Sequence, residues 1–509
     1  MVIIQTNVTV IVIINVIFTS VTMSVMFKSF WCVVLASTKM MEPFYQLSRS
    51  GGVSAKEALL THYVGTGTAW RAFDPRNKRW LMLLTTIISV LLSAMASLGS
   101  ETMTVRAGSI CNKNGGRRLC DPQWVMNTVV LRCVQAVLAL AAALIALMIY
   151  TGWRRRSGLG DYPCSIISMT DVLRHSDEAL VNDLREVNPD ATDEEVAKAL
   201  AGKTYTLKSI EAPTGKLRHA ISCNNEVQPP PRRGTTLEEA TKTAQPTHRK
   251  PKAWYKRIPY YHIFHAFLHI FMFILILLFT LFGNDTYLIY LTNASGSGSS
   301  LVSLPFKFLD GTRFGPRFFL SIVTIFISMY WEDAEVGVRL LSPYRRLSKQ
   351  SLSQKELEKM KLHGVPFTMV VHALRAGNWF HAFISLIAIS SYALIILVVG
   401  VPFNYGQVKD LNLISSAATV GILGVMLLTL VGVWVWKRSG PQMPREPNSL
   451  VNVWLLLCAS RMLEEDMGCH DTRKEKRRYC FRRAVGMDGV ERWMVDKEVE
   501  DERGALKRR

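Results

Sequence analysis

The long apolar stretches of this chain lack charge altogether. Residues 80–98, 133–151, 270–283, 378–408 and 411–436 contain no Asp, Glu, Lys or Arg. A hydrocarbon core about 30 Å thick takes roughly 20 helical residues. Lipid cannot satisfy backbone N–H and C=O groups, so such stretches read as membrane-spanning helices. The N-terminus lacks the basic n-region of a cleaved signal peptide, since the first cation is Lys28. Residues 8–31 therefore read as a signal-anchor span. A phosphate-binding glycine loop, a nucleophile elbow and a metalloprotease helix are also missing. Residues 223–259 lack the apolar content to bury a core and carry Pro229-Pro230-Pro231-Arg232-Arg233-Gly234. They read as a disordered linker.

What is present is a positive mean hydropathy beside a net charge of +20. The cations sit in the connections. Seven spans are expected: 8–31, 80–98, 125–151, 260–283, 316–331, 378–401 and 411–436. Connections 32–79, 152–259 and 332–377 are rich in Lys and Arg, and the alternate ones are poor. The positive-inside rule then places the N-terminus outside and the C-terminus in the cytoplasm. The sequons at Asn7, Asn284 and Asn293 fall on the outer side, as do Cys111 and Cys120, a candidate disulfide closing a small loop.

One stretch occurs twice. Met41-Glu42-Pro43-Phe44-Tyr45-Gln46-Leu47-Ser48 is matched by Leu341-Ser342-Pro343-Tyr344-Arg345-Arg346-Leu347-Ser348. Each follows an apolar run that closes on a tryptophan, Trp31 or Trp331. Phe18–Ser48 aligns without gaps to Phe318–Ser348, and Trp80 answers to Trp379. Trp153-Arg154-Arg155-Arg156-Ser157-Gly158 answers to Val435-Trp436-Lys437-Arg438-Ser439-Gly440. Ser165 and Ser176 answer to Ser449 and Ser460, and Lys203-Thr204-Tyr205 to Arg477-Arg478-Tyr479. The chain thus divides into a first unit (1–222), the linker, an extra span (260–283) and a second unit (316–509). The first unit has spans 8–31, 80–98 and 125–151 with a tail at 152–222. The second has spans 316–331, 378–401 and 411–436 with a tail at 437–509. Pro43 and Pro343 are expected to break the helix, with Leu47-Ser48 and Leu347-Ser348 capping the next segment. Residues 450–458 are too short to span, and with 166–174 they read as helices on the cytoplasmic membrane face. Each tail ends in alternating residues around a glycine turn, a small hairpin.

The Glu-Pro-Phe-Tyr-Gln-Leu-Ser motif, the Trp-Arg-Arg-Arg exit and Asp-Gly-Val-Glu-Arg-Trp at 488–493 resemble a fungal multi-pass membrane family built on a duplicated domain of unknown function. The resemblance implies a membrane fold for a shortened member, and no activity, catalytic residue or cofactor.

Few residues invite chemistry. His262, His265 and His269 share one helix face, where imidazoles could ligate a metal or haem. No carboxylate or thiolate stands at a recognisable spacing from them, and aromatic neighbours suit an interfacial belt. Arg132 is an ionisable residue inside a span. Arg473, Lys474, Lys476, Arg477, Arg478, Arg482 and Arg483 form a basic stretch beside a membrane, where each cation is worth about 1 kcal/mol on an anionic leaflet. Tyr479 and Phe481 interleave with it, but the tether favours lipid headgroups over nucleic acid. Cys458, Cys469 and Cys480 are candidate acylation sites. Ala139, Ala142 and Ala146 line one side of span three for close packing.

The sequence therefore reads as an all-α polytopic membrane protein with two related units and small cytoplasmic tail modules. It belongs in the plasma membrane or another membrane of the secretory pathway. Three functions compete, in this order: a non-catalytic scaffold holding protein partners and lipid, an ion or solute transporter, and a metal- or haem-dependent membrane enzyme.

Overall fold

The computed structural model describes residues 26–62, 79–107, 122–155, 159, 165–211, 217–224, 260–294, 314–360, 364, 366–401, 409–441, 443–464 and 477–498. The first unit opens with helix α1 (26–47), strand β1 (Val53–Ser54) and helix α2 (Trp80–Glu101). Strands β2 (Met103–Ala107) and β3 (Pro122–Met126) pair antiparallel and lead into α3 (Thr128–Arg154). The tail carries α4 (Ile166–His175), α5 (Glu178–Glu186), α6 (Asp193–Ala199) and the hairpin β4 (Thr204–Glu211) and β5 (Leu217–Asn224). Then come α7 (Tyr260–Ala294), α8 (Phe314–Lys349), β6 (Leu352–Ser353), α9 (Gln354–Lys359), α10 (Pro366–Arg375), α11 (Trp379–Val399) and α12 (Lys409–Arg438). The chain closes with α13 (Leu450–Leu455), a 3₁₀ turn (Arg461–Leu463), β7 (Arg478–Val485) and β8 (Glu491–Lys497).

Four described helices are long and apolar enough to cross a membrane: Thr128–Trp153, Tyr261–Leu281, Trp379–Val399 and Asn412–Arg438. They coincide with four of the seven expected spans. A fifth expected span is helical as α2, whose apolar part runs Trp80–Met95. The stretch 316–331 is only the apolar half of the 36-residue helix α8, which continues through Glu332, Asp333 and Glu335. Of the expected span 8–31, residues 8–25 lie outside the described residues.

The repeat is a repeat of structure. β1, β4 and β5 form one three-stranded sheet; β6, β7 and β8 form another with the same order. Val53 pairs with Tyr205, and Leu352 pairs with Tyr479, so the register of the two sheets matches residue for residue. Matching serines start the matching tail helices. Ser165 accepts from Ser168 N at 3.1 Å, and Ser449 accepts from Asn452 N at 3.3 Å. Each contact satisfies a backbone donor that the first helical turn leaves free.

The prolines do not end their helices. Pro43 lies inside α1 and Pro343 inside α8. An interior proline removes a backbone bond and costs about 3 kcal/mol. Here the turn after each proline buries Phe44 with Leu47, and Tyr344 with Leu347, which offsets that loss. Nor do the serines cap a following helix. Ser48 Oγ donates to Tyr45 O at 3.0 Å and Ser348 Oγ to Arg345 O at 2.8 Å, closing the helix already in progress.

The two tails fold as one domain. A single hydrophobic core joins Phe44, Leu173, Leu184 and Tyr205 of the first unit to Tyr344, Trp454, Leu457 and Phe481 of the second. Each tail helix bridges the two units, with α4 seated on β5 of its own. α13 sits against the first unit, where Val451 N donates to Leu59 O at 3.1 Å and His62 bridges Ser449. α4 packs reciprocally against α9 of the second unit. Residues 450–458 are therefore not a surface helix. Leu450, Val451, Trp454, Leu457 and Cys458 are fully buried, and their apolarity serves this core. A second core joins α7, α8, α11 and α12 through Met272, Ile276, Trp331, Ile384, Leu394 and Leu423.

Candidate functional site

The two units meet along α1, α8 and α11 in a layer of charged side chains, the polar seam. The 300-residue offset of the repeat explains its composition. Where α1 carries Cys32, Val33 and Leu35, α8 carries Glu332, Asp333 and Glu335. α1 answers with two lysines. Lys28 Nζ lies 3.1 Å from Glu332 Oε1 and donates to Ser89 Oγ of α2 at 2.7 Å. Lys39 Nζ lies 3.6 Å from Asp333 Oδ1. The third acid is paired within its own unit. Glu335 takes a forked contact from Arg339 and lies 3.2 Å from His381 Nε2 and 3.3 Å from Ser385 Oγ. Cys32 Sγ and Tyr392 OH, 3.0 Å apart, complete the layer.

Three bases thus face three acids, with Lys28, Glu335 and Arg339 buried. Buried charges survive only when paired and hydrogen-bonded. Helix rise sets the depth of the seam. Ala388, which lines it, lies nine residues along α11 from Trp379, about 13 Å at 1.5 Å per residue. His381, two residues from Trp379, belongs to it too, so the seam runs from that end of α11 into the bundle.

Two cavities flank α8 and share Asp333. One of about 50 Å³ is lined by Cys32, Lys39, Glu332, Asp333, Arg339 and Tyr392. The other, about 190 Å³, is lined by Tyr261, His262, Tyr330, Asp333, Lys437 and Glu446. In the larger one Tyr261 OH donates to Asp333 Oδ2 at 3.4 Å, and Lys437 Nζ contacts Glu446 at 3.3 Å. The arrangement can hold small polar or ionic groups and can fix the two units to each other.

The expected site residues scatter. His262, His265 and His269 do share a face of α7, and that face packs on α8. His262 Nδ1 is 2.9 Å from Tyr330 OH, and His265 stacks on the Tyr330 ring. His269 accepts from Trp331 Nε1 at 2.9 Å, while its Nδ1 lies 2.6 Å from His265 O. Both His269 nitrogens are engaged, so its role is to orient Trp331. Among the described residues no group of three His, Cys, Asp or Glu is placed to hold a metal ion. Arg132 is exposed on α3 and donates to Gln135 at 3.0 Å. Asn284 and Asn293 lie on the helical backbone of α7, which continues to Ala294. Asn7, Cys111, Cys120, Cys469, Arg473, Lys474 and Lys476 lie outside the described residues.

Of the rest of the basic stretch, Arg477 precedes β7 and Arg478, Arg482 and Arg483 lie on it. Strand alternation explains the interleaved aromatics: Tyr479 and Phe481 point into the core, where Phe481 stacks on Trp493. Their faces are not available to a base. Cys458 is buried, and burial pushes its thiol up to about 11. The motif residues Pro43, Leu47, Pro343, Tyr344 and Leu347 are core, Tyr45 is half-buried, and Ser48 and Ser348 are exposed. At Glu42 of the motif, burial pushes the carboxyl up against the opposing pull of Arg155, 3.3 Å away.

Sequence reasoning passed over the seam. Lys28 registers there only as the first cation, although it falls inside the expected span 8–31. The signal was the repeat itself: charge at 332, 333 and 335 in one copy and apolar residues at the matching positions of the other.

A family model described as "protein of unknown function (DUF3433)" matches residues 13–104 and again residues 314–403. The two matches cover the motif helix and the apolar helix after it in each unit, so the domain is duplicated. Neither curated proteins nor solved structures show a match to the chain.

Proposed function

We propose that this chain is a non-catalytic membrane scaffold, in which a bundle of spans presents one two-sheet domain to protein partners at the cytoplasmic face. The observation that carries this reading is that α4 and α13 bridge the two units over a common core. A transporter built of two units works by moving one against the other. Here the domain end ties them together through Val451 N to Leu59 O, Arg185 Nε to Cys458 O at 2.9 Å and Arg492 Nη2 to Arg185 O at 3.0 Å. The basic residues of 473–483 add contact with anionic headgroups, which would hold the domain against the leaflet.

A second reading, transport of an ion or solute, is favoured by the seam, because ionisable groups inside a bundle commonly mark ion or proton paths. One experiment separates the two. The bridge between His62 and Ser449 places their backbones at a separation suited to a disulfide. The pair His62→Cys/Ser449→Cys, oxidised, locks the units together. Under the scaffold reading the locked chain complements a deletion as well as the unlocked one, and proton and ion flux in proteoliposomes is unchanged. Loss of complementation and of flux on locking, both restored by reductant, would move the chain to transport.

A further inference from the structure

The connection between α10 and α11 is three residues long, and its geometry folds one helix back along the other. Gly377, with φ 70°, takes the left-handed conformation that ends α10. Its N–H donates to Leu374 O at 2.9 Å, and Asn378 N donates to Ala373 O at 2.8 Å. Asn378 then caps α11, its side chain accepting from His381 N at 3.4 Å. So short a connection makes antiparallel neighbours. α10 accordingly packs on α11 and buries Pro366, Met369 and Ala373 along its whole length. The turn lies at the domain end, since Ala376 O accepts from Arg346 of α8 at 2.7 Å, close to where α8 enters the two-sheet domain. Pro366, at the far end of α10, lines the small seam cavity with Ala388 and Tyr392, nine and thirteen residues into α11. Ten residues of helix rise about 15 Å, half of a hydrocarbon core about 30 Å thick. α10 therefore accompanies the first half of α11, a helix long and apolar enough to cross a membrane.

The outer face of α10 is apolar. Phe367, Val371 and Leu374 follow one another at helical spacing and are 45 %, 47 % and 39 % exposed. A helix on the surface of the two-sheet domain exposes charge instead, as α6 does with Asp193, Glu194, Glu195 and Lys198. Over the part of α11 that α10 accompanies, Trp379, Phe383 and Leu386 are exposed in the same apolar way. The outer face of α10 thus matches the span beside it, and its depth along that span says what covers it, namely acyl chains. The deep end meets the condition that lipid imposes. Irregular backbone at membrane depth has to be buried in protein or to line a cavity. Gly364 and Pro366 line the seam cavity. Proline at the first helical position also brings one fewer unsatisfied N–H to that depth. The basic side chains of α10, His372 and Arg375, sit in its last turn, beside the connection, where they can reach headgroups.

We propose that α10 is a re-entrant helix, which dips from the domain side into the near leaflet and lays Phe367, Val371 and Leu374 against its acyl chains. Neither the scaffold nor the transport reading plays a part in this inference. The test uses the full-length chain in phosphatidylcholine liposomes. A fluorescent amino acid is inserted by codon suppression at Phe367, Val371 or Leu374 in turn, and nitroxide-labelled lipids quench it at known depths. All three positions are exposed, so the label displaces no core side chain. The expected result is a quenching depth that decreases from position 367 to position 374 by about 10 Å, the rise of seven residues. Equal depths at the three positions would overturn the proposal in favour of a helix lying flat on the membrane surface. Quenching by aqueous iodide and not by the lipid nitroxides would put α10 in water. Shielding from both quenchers would put a protein partner or a second copy on this face. Either result overturns the proposal as well.

Discussion

The two units share a backbone plan and differ in where their charge and their support lie. In the second, α8, α11 and α12 close a core with α7; in the first, α3 is left largely bare. The tryptophans that end the matched apolar runs show the same divergence. Trp31 donates to Thr85 O at 3.0 Å on a neighbouring helix of its own unit, whereas Trp331 donates to His269 of the added helix. Between the motif and the span exit both units keep a cation over an aromatic ring, with the roles exchanged. Arg155 of the exit lies over Tyr45 of the motif, 5.9 Å from the centroid, and Arg345 of the motif lies over Trp436 of the exit at 4.4 Å. A duplicated unit can keep a contact while swapping which partner carries the charge. What it cannot do is pair with its own twin through like charges. The acids of α8 and the lysines of α1 are the answer to that constraint.

The largest effect expected is on the domain that erases the division between units. Trp454→Ala removes a fully buried ring and should cost about 3–5 kcal/mol. Because the core is common, hydrogen exchange should show the β4–β5 and β7–β8 hairpins losing protection together. Protection that persists in the first hairpin alone would show two independent modules.

Next is the seam. Lys28→Met leaves Glu332 without its cation and should cost about 3 kcal/mol, read as a lower midpoint of thermal unfolding in detergent. The double change Lys28→Met/Glu332→Met should recover most of that loss, since a buried pair replaced as a pair is close to neutral. An additive double change would mean the two residues do not act as a pair.

Smaller effects separate the twin tyrosines. Both Tyr205 and Tyr479 are fully buried, but the hydroxyl of Tyr205 has no hydrogen-bond partner among the described residues. Tyr205→Phe should be neutral or stabilising by up to about 1 kcal/mol. The same change at Tyr479, a residue with an interaction of its own to keep, should gain nothing. A destabilised Tyr205→Phe protein would reveal a partner for that hydroxyl.

The smallest effect is a rate. With its thiol at about 11, Cys458 holds about a thousandth of its population as thiolate at pH 8. A maleimide should spare it in the folded protein and modify it after denaturation, monitored by mass spectrometry. Rapid modification in the native state would place Cys458 at a surface and revive its candidacy for acylation.

Much of this organisation was legible in the sequence. Uncharged runs of about 20 residues announced the spans, because no other element satisfies the backbone in lipid. The repeat aligned Ser165 with Ser449 and Tyr205 with Tyr479 and gave each tail a hairpin, while the caps and the strand registers came from the structure. Less legible were residues whose apolarity has two explanations. Leu450-Val451-Asn452-Val453-Trp454 is as compatible with a membrane surface as with a protein core, and composition does not separate the two. Pro343 looked like a helix end because the packing that compensates for it, Tyr344 on Phe481, comes from a strand far along the chain. The interleaved Arg and aromatic residues of β7 looked like a binding surface until the sheet turned the rings inward.

The sequence by itself determined the membrane class, the duplication, a hairpin in each tail and the position of every charge. Each of these follows from local periodicity, or from comparing one half of the chain with the other. Only the tertiary structure decided that the tail helices bridge both units, that the two sheets share one core, and that Lys28 meets Glu332. Those contacts join residues hundreds of positions apart. Their energy depends on which buried faces and charges come together in space, and a linear pattern does not record that.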